Sequence, residues 1–394
     1  MKRNEIYKTY SKDYEQATYA LLQQSNLEQH ILEKGLGREL RIGIKPNLVS
    51  PTPAEYGATT HPEVVRGIIS YLQDHAFSNL VMVEGSWIGD KTSESYEYCG
   101  YQQISEDYQV PFVDTQKEDF HPVDCKGLTL QICDVVDTID FLINVPVLKG
   151  HGQTKITCAL KNMKGLIPNS EKRHFHTMGL HKPIAHLSVG IHQDFIVIDH
   201  ICGDLDFEDG GNPVVRDCIM TSMDPVLVDS YVCRLLGYEK EQVPYVVMAE
   251  ELGSGSGNLK ESQILVWQLD EGLPQDSQEK NMCLLGTYSG EEEDPGEENL
   301  RPGEKVLEIS YAIDDADSCS ACYASLAPAL YRLKEEGILE GELPFKIAIG
   351  QGHQGETGEY GIGKCCKGYT NHVWGCPPEE ETVYAWLKEL LEKR

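Results

Sequence analysis

The strongest constraint on the fold is an alternation of apolar segments with helical segments, which runs from the first strand candidate to about Gly237. Arg41–Val49 and Asn79–Ser86 have the length and composition of buried strands, and each ends in a polar turn. Between them, His61–His75 carries apolar residues at helical spacing, with Pro62 in its first turn. Continuous apolar strands separated by helices are typical of a parallel sheet covered on both faces. The sequence therefore predicts an α/β fold with a large, doubly wound, mainly parallel sheet.

The same pattern continues further along the chain. Strands are predicted at Phe141–Gly152 and Asp194–Asp204, and helices at Thr154–Leu166 and Asp224–Gly237. A chain of 394 residues exceeds the size of one typical core, so we expect two domains.

The domain boundary is predicted from two breaks in the pattern. Gly253–Gly257 is flexible by composition, and Gly290–Glu304 is acidic and interrupted by proline and glycine. We predict a large domain over residues 1–255, an acidic connecting region over 256–304 and a smaller α/β domain over 305–394. In the smaller domain the predicted elements are a strand near Val306–Ala312, a helix after Cys319, a strand at Phe345–Gly350 and a helix at the C-terminus.

Charge and hydropathy exclude several classes of partner. The net charge of −29 repels phosphate backbones and anionic lipid, so neither a nucleic acid nor a membrane is expected as a partner. The basic N-terminus is not followed by an apolar core, and no stretch approaches the length of a transmembrane helix. We therefore expect a cytoplasmic protein; whether it forms a homo-oligomer is left open.

Five of the 13 cysteines lie near the C-terminus. Cys319 and Cys322 form a C-x-x-C pair at the start of an amphipathic helix, whose N-terminus favours negatively charged thiolates. Cys365, Cys366 and Cys376 follow, and the last of them precedes a proline, as in bacterial ferredoxin runs. These five cysteines are the candidate metal ligands, and the other eight are expected in the apolar core.

Three interpretations of these cysteines remain open. A [4Fe–4S] cluster needs four thiolates and a glycine-rich surround, and the residues present supply both. A structural zinc site is the alternative, although a second C-x-x-C pair is missing. A redox disulfide between Cys319 and Cys322 needs no other cysteine and would leave the later cysteines unexplained; thiols without a ligand are the remaining alternative.

The spacing Gly350-x-Gly352-x-x-Gly355 suggests a dinucleotide fingerprint, but its context does not fit. A dinucleotide site needs a helix that begins inside the motif, so that the helix N-terminus faces the pyrophosphate. The residues that follow are rich in glycine and have no apolar periodicity. We therefore expect no nucleotide here.

A basic stretch, Asn144–His186, is unusual in so acidic a chain. Lys149 and His151 follow the end of a strand, which is where sheets of this class place ligand sites, and an array of lysines there would attract an anionic group. A lysine–histidine pair could also transfer protons. A histidine metal site in this stretch is only weakly indicated by the spacing. The candidate catalytic residues are Lys149, His151 and Lys45, and the candidate substrate-binding residues are Asn47, Glu84, Lys155, Lys161 and Asn162.

Several ordered motifs between Arg41 and Gly237, among them KPNLV, THPEVV, VEGS and NVPVLKGHGQTKITCALKNMKGLIP, resemble the DUF362 family of iron–sulfur-associated proteins. The tail, with CSACYASLAPAL, IGKCC and GCPP, resembles the C-terminal cluster segment of a subset of that family. Other members carry a ferredoxin-type run that this chain lacks. The resemblance implies a [4Fe–4S] cluster on Cys319, Cys322, Cys376 and one of the adjacent pair, with the G-x-C pattern favouring Cys365 over Cys366.

Three functional classes follow. The first is an oxidoreductase or electron-transfer protein, in which the cluster serves an anionic small molecule or a redox partner protein. The second is a non-redox enzyme of the isomerase or lyase type that uses Lys149 and His151 beside a structural cluster. The third is an accessory protein without chemistry of its own. The resemblance favours a cluster and does not identify a substrate.

Overall fold

The computed structural model describes residues 1–209, 211–269, 282–292, 305–339, 343 and 345–392. Its strands are, in chain order, β1 (Glu5–Tyr10), β2 (Ile42–Pro46), β3 (Leu80–Glu84), β4 (Phe112–Asp114), β5 (Phe120–Asp124), β6 (Thr129–Cys133), β7 (Phe141–Val145), β8 (Lys149–His151), β9 (Lys155–Thr157), β10 (Phe195–Asp204), β11 (Pro213–Ser222), β12 (Gln263–Leu269), β13 (Met282–Ser289), β14 (Ile313–Asp315), β15 (Ile347–Ile349), β16 (Tyr360–Ile362) and β17 (Asn371–Val373).

The α-helices of the described residues differ widely in length, from a single turn to sixteen residues. They are α1 (Tyr14–Gln24), α2 (Leu27–Leu32), α3 (Pro62–Asp74), α4 (Thr92–Tyr98), α5 (Tyr101–Tyr108), α6 (Ala159–Asn162), α7 (Asn169–Thr177), α8 (His181–Gly190), α9 (Pro225–Leu235), α10 (Pro244–Glu251), α11 (Lys305–Ile309), α12 (Ser320–Glu335) and α13 (Glu380–Glu392). No helix of the described residues is long and apolar enough to cross a membrane.

The large sheet has nine strands in the described part of the chain, in the order β13-β12-β1-β11-β10-β7-β2-β3-β4. Five neighbouring pairs are parallel, and the three antiparallel pairs are β1 with β11, β10 with β11 and β12 with β13. This confirms the predicted mainly parallel α/β fold. Two hairpins, β5–β6 and β8–β9, form separate small sheets.

The sheet is covered on both faces, as alternating residues of β10 show. Phe195 and Val197 pack into the core that contains helices α1 and α3, whereas Ile196 and Ile198 pack into the opposite core, which contains α8, α9 and α10. Successive side chains of a strand point to opposite faces, so a strand buried on both sides must be apolar throughout. Burial on both faces of the sheet therefore explains the continuous apolar runs in the sequence.

The C-terminal part forms a smaller sheet in the order β14-β15-β16-β17, in which all neighbouring pairs are parallel. Helices α12 and α13 share its core, which contains Leu326, Leu330, Ile347 and Val383. Phe207, from the loop after β10, also packs into this core. The smaller sheet therefore packs directly against the loop that follows strand β10 of the large sheet.

Three predicted elements differ in the structure. Val306–Ala312 was predicted as a strand, but the chain forms α11 and a 3-10 turn there, because the buried Ile309 and Ala312 recur at the spacing of three that suits a helix. The predicted helix over Thr154–Leu166 is instead β9, the single turn α6 and a 3-10 turn, because Lys155 has a positive φ of 69° and the residues after it pair with β8. Residues 256–304 were predicted as an acidic connecting region, but the described part of this segment adds β12 and β13 to the large sheet; residues 270–281 and 293–304 lie outside the described residues.

Candidate functional site

The topology brings the predicted polar residues to one place. From β2 the chain runs outward through β3 to β4, and it then returns to β7 on the other side of β2. In open α/β sheets the crevice beside such a reversal, at the carboxyl ends of the strands, is the usual ligand site. Lys45 and Asn47 follow from β2, and Glu84 ends β3. A pocket open to solvent, with a cavity volume of about 70 Å³, lies at this position.

The floor of the pocket contains a buried ion pair. Lys45 Nζ donates to Glu84 Oε2 at 2.6 Å, to the Pro46 carbonyl at 2.9 Å and to Asn162 Oδ1 at 3.1 Å. These contacts use all three ammonium protons of Lys45. Burial lowers the pKa of Lys45 even though Glu84 acts in the opposite direction. Lys45 is therefore a structural cation that positions Glu84, with no proton left to donate to a ligand.

The two predicted asparagines are joined by the same network. Asn47 Nδ2 donates to Asn162 Oδ1 at 3.1 Å, and Asn162 Nδ2 donates to Asn144 Oδ1 at 2.7 Å. Gly165 packs against the ion pair so closely that a Cβ there would collide with Glu84 Oε1. The floor is thus preorganised by contacts between strand ends and the chain around α6.

A second buried ion network is centred on Glu208. Its carboxylate accepts from Lys161 Nζ at 3.0 Å and lies 3.5 Å from Lys149 Nζ and 3.0 Å from His151 Nε2. Burial acts to raise the pKa of Glu208, but Lys161, His151 and Lys149 outweigh it and hold the pKa well below its usual value. Burial, followed by Lys161, lowers the pKa of His151 to about 4, so its ring is neutral at neutral pH.

The sequence prediction placed Lys149 and His151 at the catalytic centre, and the structure places them one layer behind it. Lys149 Nζ donates to the Ala58 carbonyl at 2.6 Å, and Glu208 stands between these two side chains and the pocket, whose lining contains Glu208 and Lys161. Lys155 also does not line the pocket; its ammonium lies 5.0 Å from the centre of the Tyr238 ring.

Four ionisable residues that were not among the predicted candidates also line the pocket: Lys164, Lys172, His176 and Glu208. Lys172 and His176 are four residues apart on α7, which puts them on one face of that helix. A prediction of that helix would have found them. Glu208 lies in the loop after β10 with a φ of 80°, and nothing in its sequence context marks it.

Four of the five C-terminal cysteines line a second, smaller cavity. They are Cys319, Cys322, Cys365 and Cys376, and the cavity is also lined by Gly350 and Gly363. The two glycines have positive φ values of 115° and 83°, conformations that favour glycine. After Gly350 the chain makes a single 3-10 turn, and no α-helix begins before β16. A Cβ at Gly350 or Gly352 would collide with Ala316, and Gly355 has a positive φ of 85°. The glycine spacing is therefore explained by these backbone requirements and not by a nucleotide fold.

Cys366 is separated from the other four. It is fully buried, its Sγ lies 3.2 Å from the Ala348 carbonyl, and it packs against Gly361 on the core side of β16. Of the other eight cysteines, seven are buried as predicted, whereas Cys283 is exposed on β13.

The donor set of the cysteine cavity fits a thiolate-ligated group. Burial raises the pKa of Cys319 to about 11, and the neighbouring Cys365 adds to this effect. Thiols that repel each other when ionised can be kept together by cations that bind them. Among the described residues no three histidine, cysteine, aspartate or glutamate side chains converge in the way a single ion requires. A tetrahedral zinc, with bonds of about 2.3 Å, would draw the sulfurs to within about 4 Å of each other.

The two cavities adjoin. Ile88, Cys319 and Ala321 line both of them, so the start of α12 forms their common wall. A group held by the four thiols would lie against the lysine-lined pocket, separated from it by Cys319.

Comparison with known proteins gives a family match for the part of the chain that carries most of the large sheet. Residues 42–234 match the model of the family described as Domain of unknown function (DUF362). The match includes every residue of the lysine-lined pocket except Cys319, Ser320 and Ala321, and it does not include the C-terminal cysteines. The thylakoid-associated protein sll1697 of Synechocystis sp. (strain ATCC 27184 / PCC 6803 / Kazusa) is 22% identical over 224 residues, which cover 54% of this chain and 68% of that protein.

Two solved structures are similar over part of the chain. The lactate racemase apoprotein from Thermoanaerobacterium thermosaccharolyticum has a TM-score of 0.33 and 14% identity, covering 49% of this chain and 50% of that one. A protein from Thermotoga maritima has a TM-score of 0.35 and 12% identity, covering 57% of this chain and 60% of that one. This chain thus spans between half and three fifths of these solved proteins.

Proposed function

We propose that the chain binds a [4Fe–4S] cluster on Cys319, Cys322, Cys365 and Cys376, and that it works as an oxidoreductase or electron-transfer protein. The observation that carries the proposal is the sorting of the five cysteines: four line one cavity and the fifth, Cys366, is turned into the core. Four cysteine thiolates are the usual ligand set of this cluster.

The surroundings of the four cysteines support the same group. Gly350 and Gly363 bring backbone close to the thiols, and α12 begins at Ser320 between two of them, so its N-terminus favours their negative charge. A cluster that has one thiolate on each of four irons does not require the sulfurs to meet at one point. When bound, such a cluster supplies one-electron transfer.

The position of Cys319 supports a redox role over a purely structural one. This residue lines both cavities, so a molecule in the lysine-lined pocket would lie next to a cluster ligand. The non-redox alternative would use Lys149 and His151 on a substrate, but both side chains are held by Glu208 behind the pocket wall. We therefore favour an electron-transfer role toward a small molecule bound in that pocket, and we propose the cytoplasm as its compartment.

Two matched serine variants test the ligand set. Cys365→Ser is expected to lose iron and visible absorption, whereas Cys366→Ser is expected to keep both, because its hydroxyl can donate to the Ala348 carbonyl as the thiol does. Iron and acid-labile sulfide would be measured in both proteins after anaerobic purification. Iron loss in Cys366→Ser but not in Cys365→Ser would contradict the proposed ligands. Stoichiometric zinc without sulfide would contradict the cluster and support a structural zinc site.

A further inference from the structure

The lysine-lined pocket has unused hydrogen-bond donors. Each lysine ammonium carries three protons. Lys161 uses two of them, on Thr157 Oγ1 and Glu208 Oε1 at 3.0 Å each, and Lys172 uses two, on the Gly85 and Ser86 carbonyls at 3.0 and 2.8 Å. Lys164 makes no hydrogen bond or ion pair with any residue that the structure describes, although its ammonium lies 5.9 Å from the centre of the Phe175 ring. Burial lowers the pKa of Lys164 to about 7. Below that pH, where all three ammonium groups are charged, five protons remain for a ligand.

The lysine-lined pocket also contains a neutral histidine, His176, whose ring can donate or accept a hydrogen bond. His176 is 5% exposed, lines the pocket and has no side-chain hydrogen bond within the described ranges. A buried polar ring without a partner is rare in a folded protein, so its nitrogens are available to something in the pocket. Burial, followed by repulsion from Lys164, lowers the pKa of His176 well below its usual value, and the ring is therefore uncharged.

The opposite wall contributes the start of α12. Ser320 and Ala321 line the pocket, and the residue that precedes the helix, Cys319, does not cap it with its side chain. The first backbone N–H groups of this sixteen-residue helix have no acceptor within the helix and favour a negative group in front of them.

The charge of the lining indicates the charge of the ligand. Four lysines, at positions 45, 161, 164 and 172, face two glutamates, at positions 84 and 208. Burial, followed by Lys161, lowers the pKa of Lys164 to about 7, so the full excess of two positive charges is present below that pH. We propose that this pocket binds a small dianion, a dicarboxylate or a phosphate monoester, with its oxygens on Lys164, Lys172 and Lys161 and with His176 as a neutral hydrogen-bond partner. Its use as a substrate site beside Cys319 rests on the proposed function; the binding itself does not.

Calorimetric titration of the anaerobically purified full chain tests the proposal, with malonate and inorganic phosphate as the two probes. Binding of either probe is expected at millimolar concentrations or below, and the probe that binds more tightly identifies the class. Lys164→Met is expected to weaken binding at least about tenfold, since it removes a charge-assisted donor. The variant should fold normally, because Lys164 has no described hydrogen-bond partner to lose. His176→Phe, which keeps a ring and removes both nitrogens, is expected to weaken binding as well.

Lys155→Met is the matched control. Lys155 lies on strand β9 and does not line the pocket, so this substitution should leave the affinity for both probes unchanged. The proposal is overturned if neither probe binds, or if Lys164→Met and Lys155→Met have the same affinity as the wild type. The result is independent of the cluster: an iron-free protein that binds malonate through Lys164 would contradict the proposed function and support the anion site. An iron–sulfur protein with no affinity for either probe would support the cluster and contradict the anion site.

Discussion

Replacing Glu208 by glutamine removes the negative charge on which the second ion network depends. Glu208 is buried, and so are its partners Lys149, Lys161 and His151. Without the carboxylate, Lys149 keeps the Ala58 carbonyl, and Lys161 keeps the Thr157 hydroxyl. Neither of these acceptors carries a charge, so Glu208→Gln leaves two uncompensated ammonium groups inside the protein.

The size of the effect follows from the burial. Removing one partner of a buried ion pair typically costs about 3–5 kcal/mol. The cost per lysine has an upper limit, because an ammonium can escape by losing its proton. From a reference pKa of about 10.4, this loss requires about 4.6 kcal/mol at pH 7 and about 1.9 kcal/mol at pH 9. The destabilisation by Glu208→Gln is therefore expected to be several kcal/mol at pH 7 and clearly smaller at pH 9.

Urea unfolding of wild type and Glu208→Gln at the two pH values, at constant ionic strength, measures this difference. Glu94→Gln is the control: Glu94 lies 2.6 Å from Lys91, but both side chains are exposed, so no measurable change is expected. In the wild type, the contribution of Glu208 should be complete above its unfolded-state pKa and should disappear as the pH falls, because its folded pKa is lowered. A Glu208→Gln variant as stable as wild type at pH 7, or a loss that grows with pH, would refute the reasoning.

Three further predictions concern the same region. Gly165→Ala is expected to destabilise the fold by about 1–3 kcal/mol in urea, because the new Cβ collides with Glu84 and forces it away from Lys45; unchanged stability would contradict the tight packing. Burial raises the pKa of Asp229 to about 7, so its contribution to stability should be present at low pH and lost as the pH rises through that value; Asp229→Asn should remove this slope in unfolding measured at pH 5 and pH 8, and a persisting slope would assign it to another group. Burial lowers the pKa of Lys164 to about 7 and that of Lys172 to about 8, so malonate affinity measured by calorimetry should fall between pH 6 and pH 9, and a constant affinity would exclude both ammonium groups from the site.

Much of the site was predictable, because the fold itself was. Lys45, Asn47 and Glu84 lie at the carboxyl ends of two neighbouring parallel strands, and such ends meet at one edge of the sheet. Their residue types and their positions at strand ends were therefore enough to predict that they lie close together. Their detailed roles were not predictable, since the saturated hydrogen bonding of Lys45 depends on Asn162, which lies far along the chain.

The remaining residues depend on local backbone that the sequence pattern does not show. Glu208 reaches Lys161 from an irregular loop in a positive-φ conformation, and no periodicity marks such a position. Cys365 and Cys366 are neighbours of the same type, and only the 3-10 turn at Lys364–Cys366 sends them in different directions. Lys172 and His176 were missed because the segment that carries them is a helix and we did not predict it as one.

Metal and sulfide analysis of the anaerobically purified wild-type chain, combined with EPR spectroscopy after reduction, tests the central claim most directly. We predict about four iron atoms and four sulfides per chain, a reduced-cluster signal, and a change in that signal when malonate is added, because Cys319 lines both cavities. A colourless protein that contains zinc, or no metal at all, after anaerobic purification and attempted reconstitution with iron and sulfide would contradict the account.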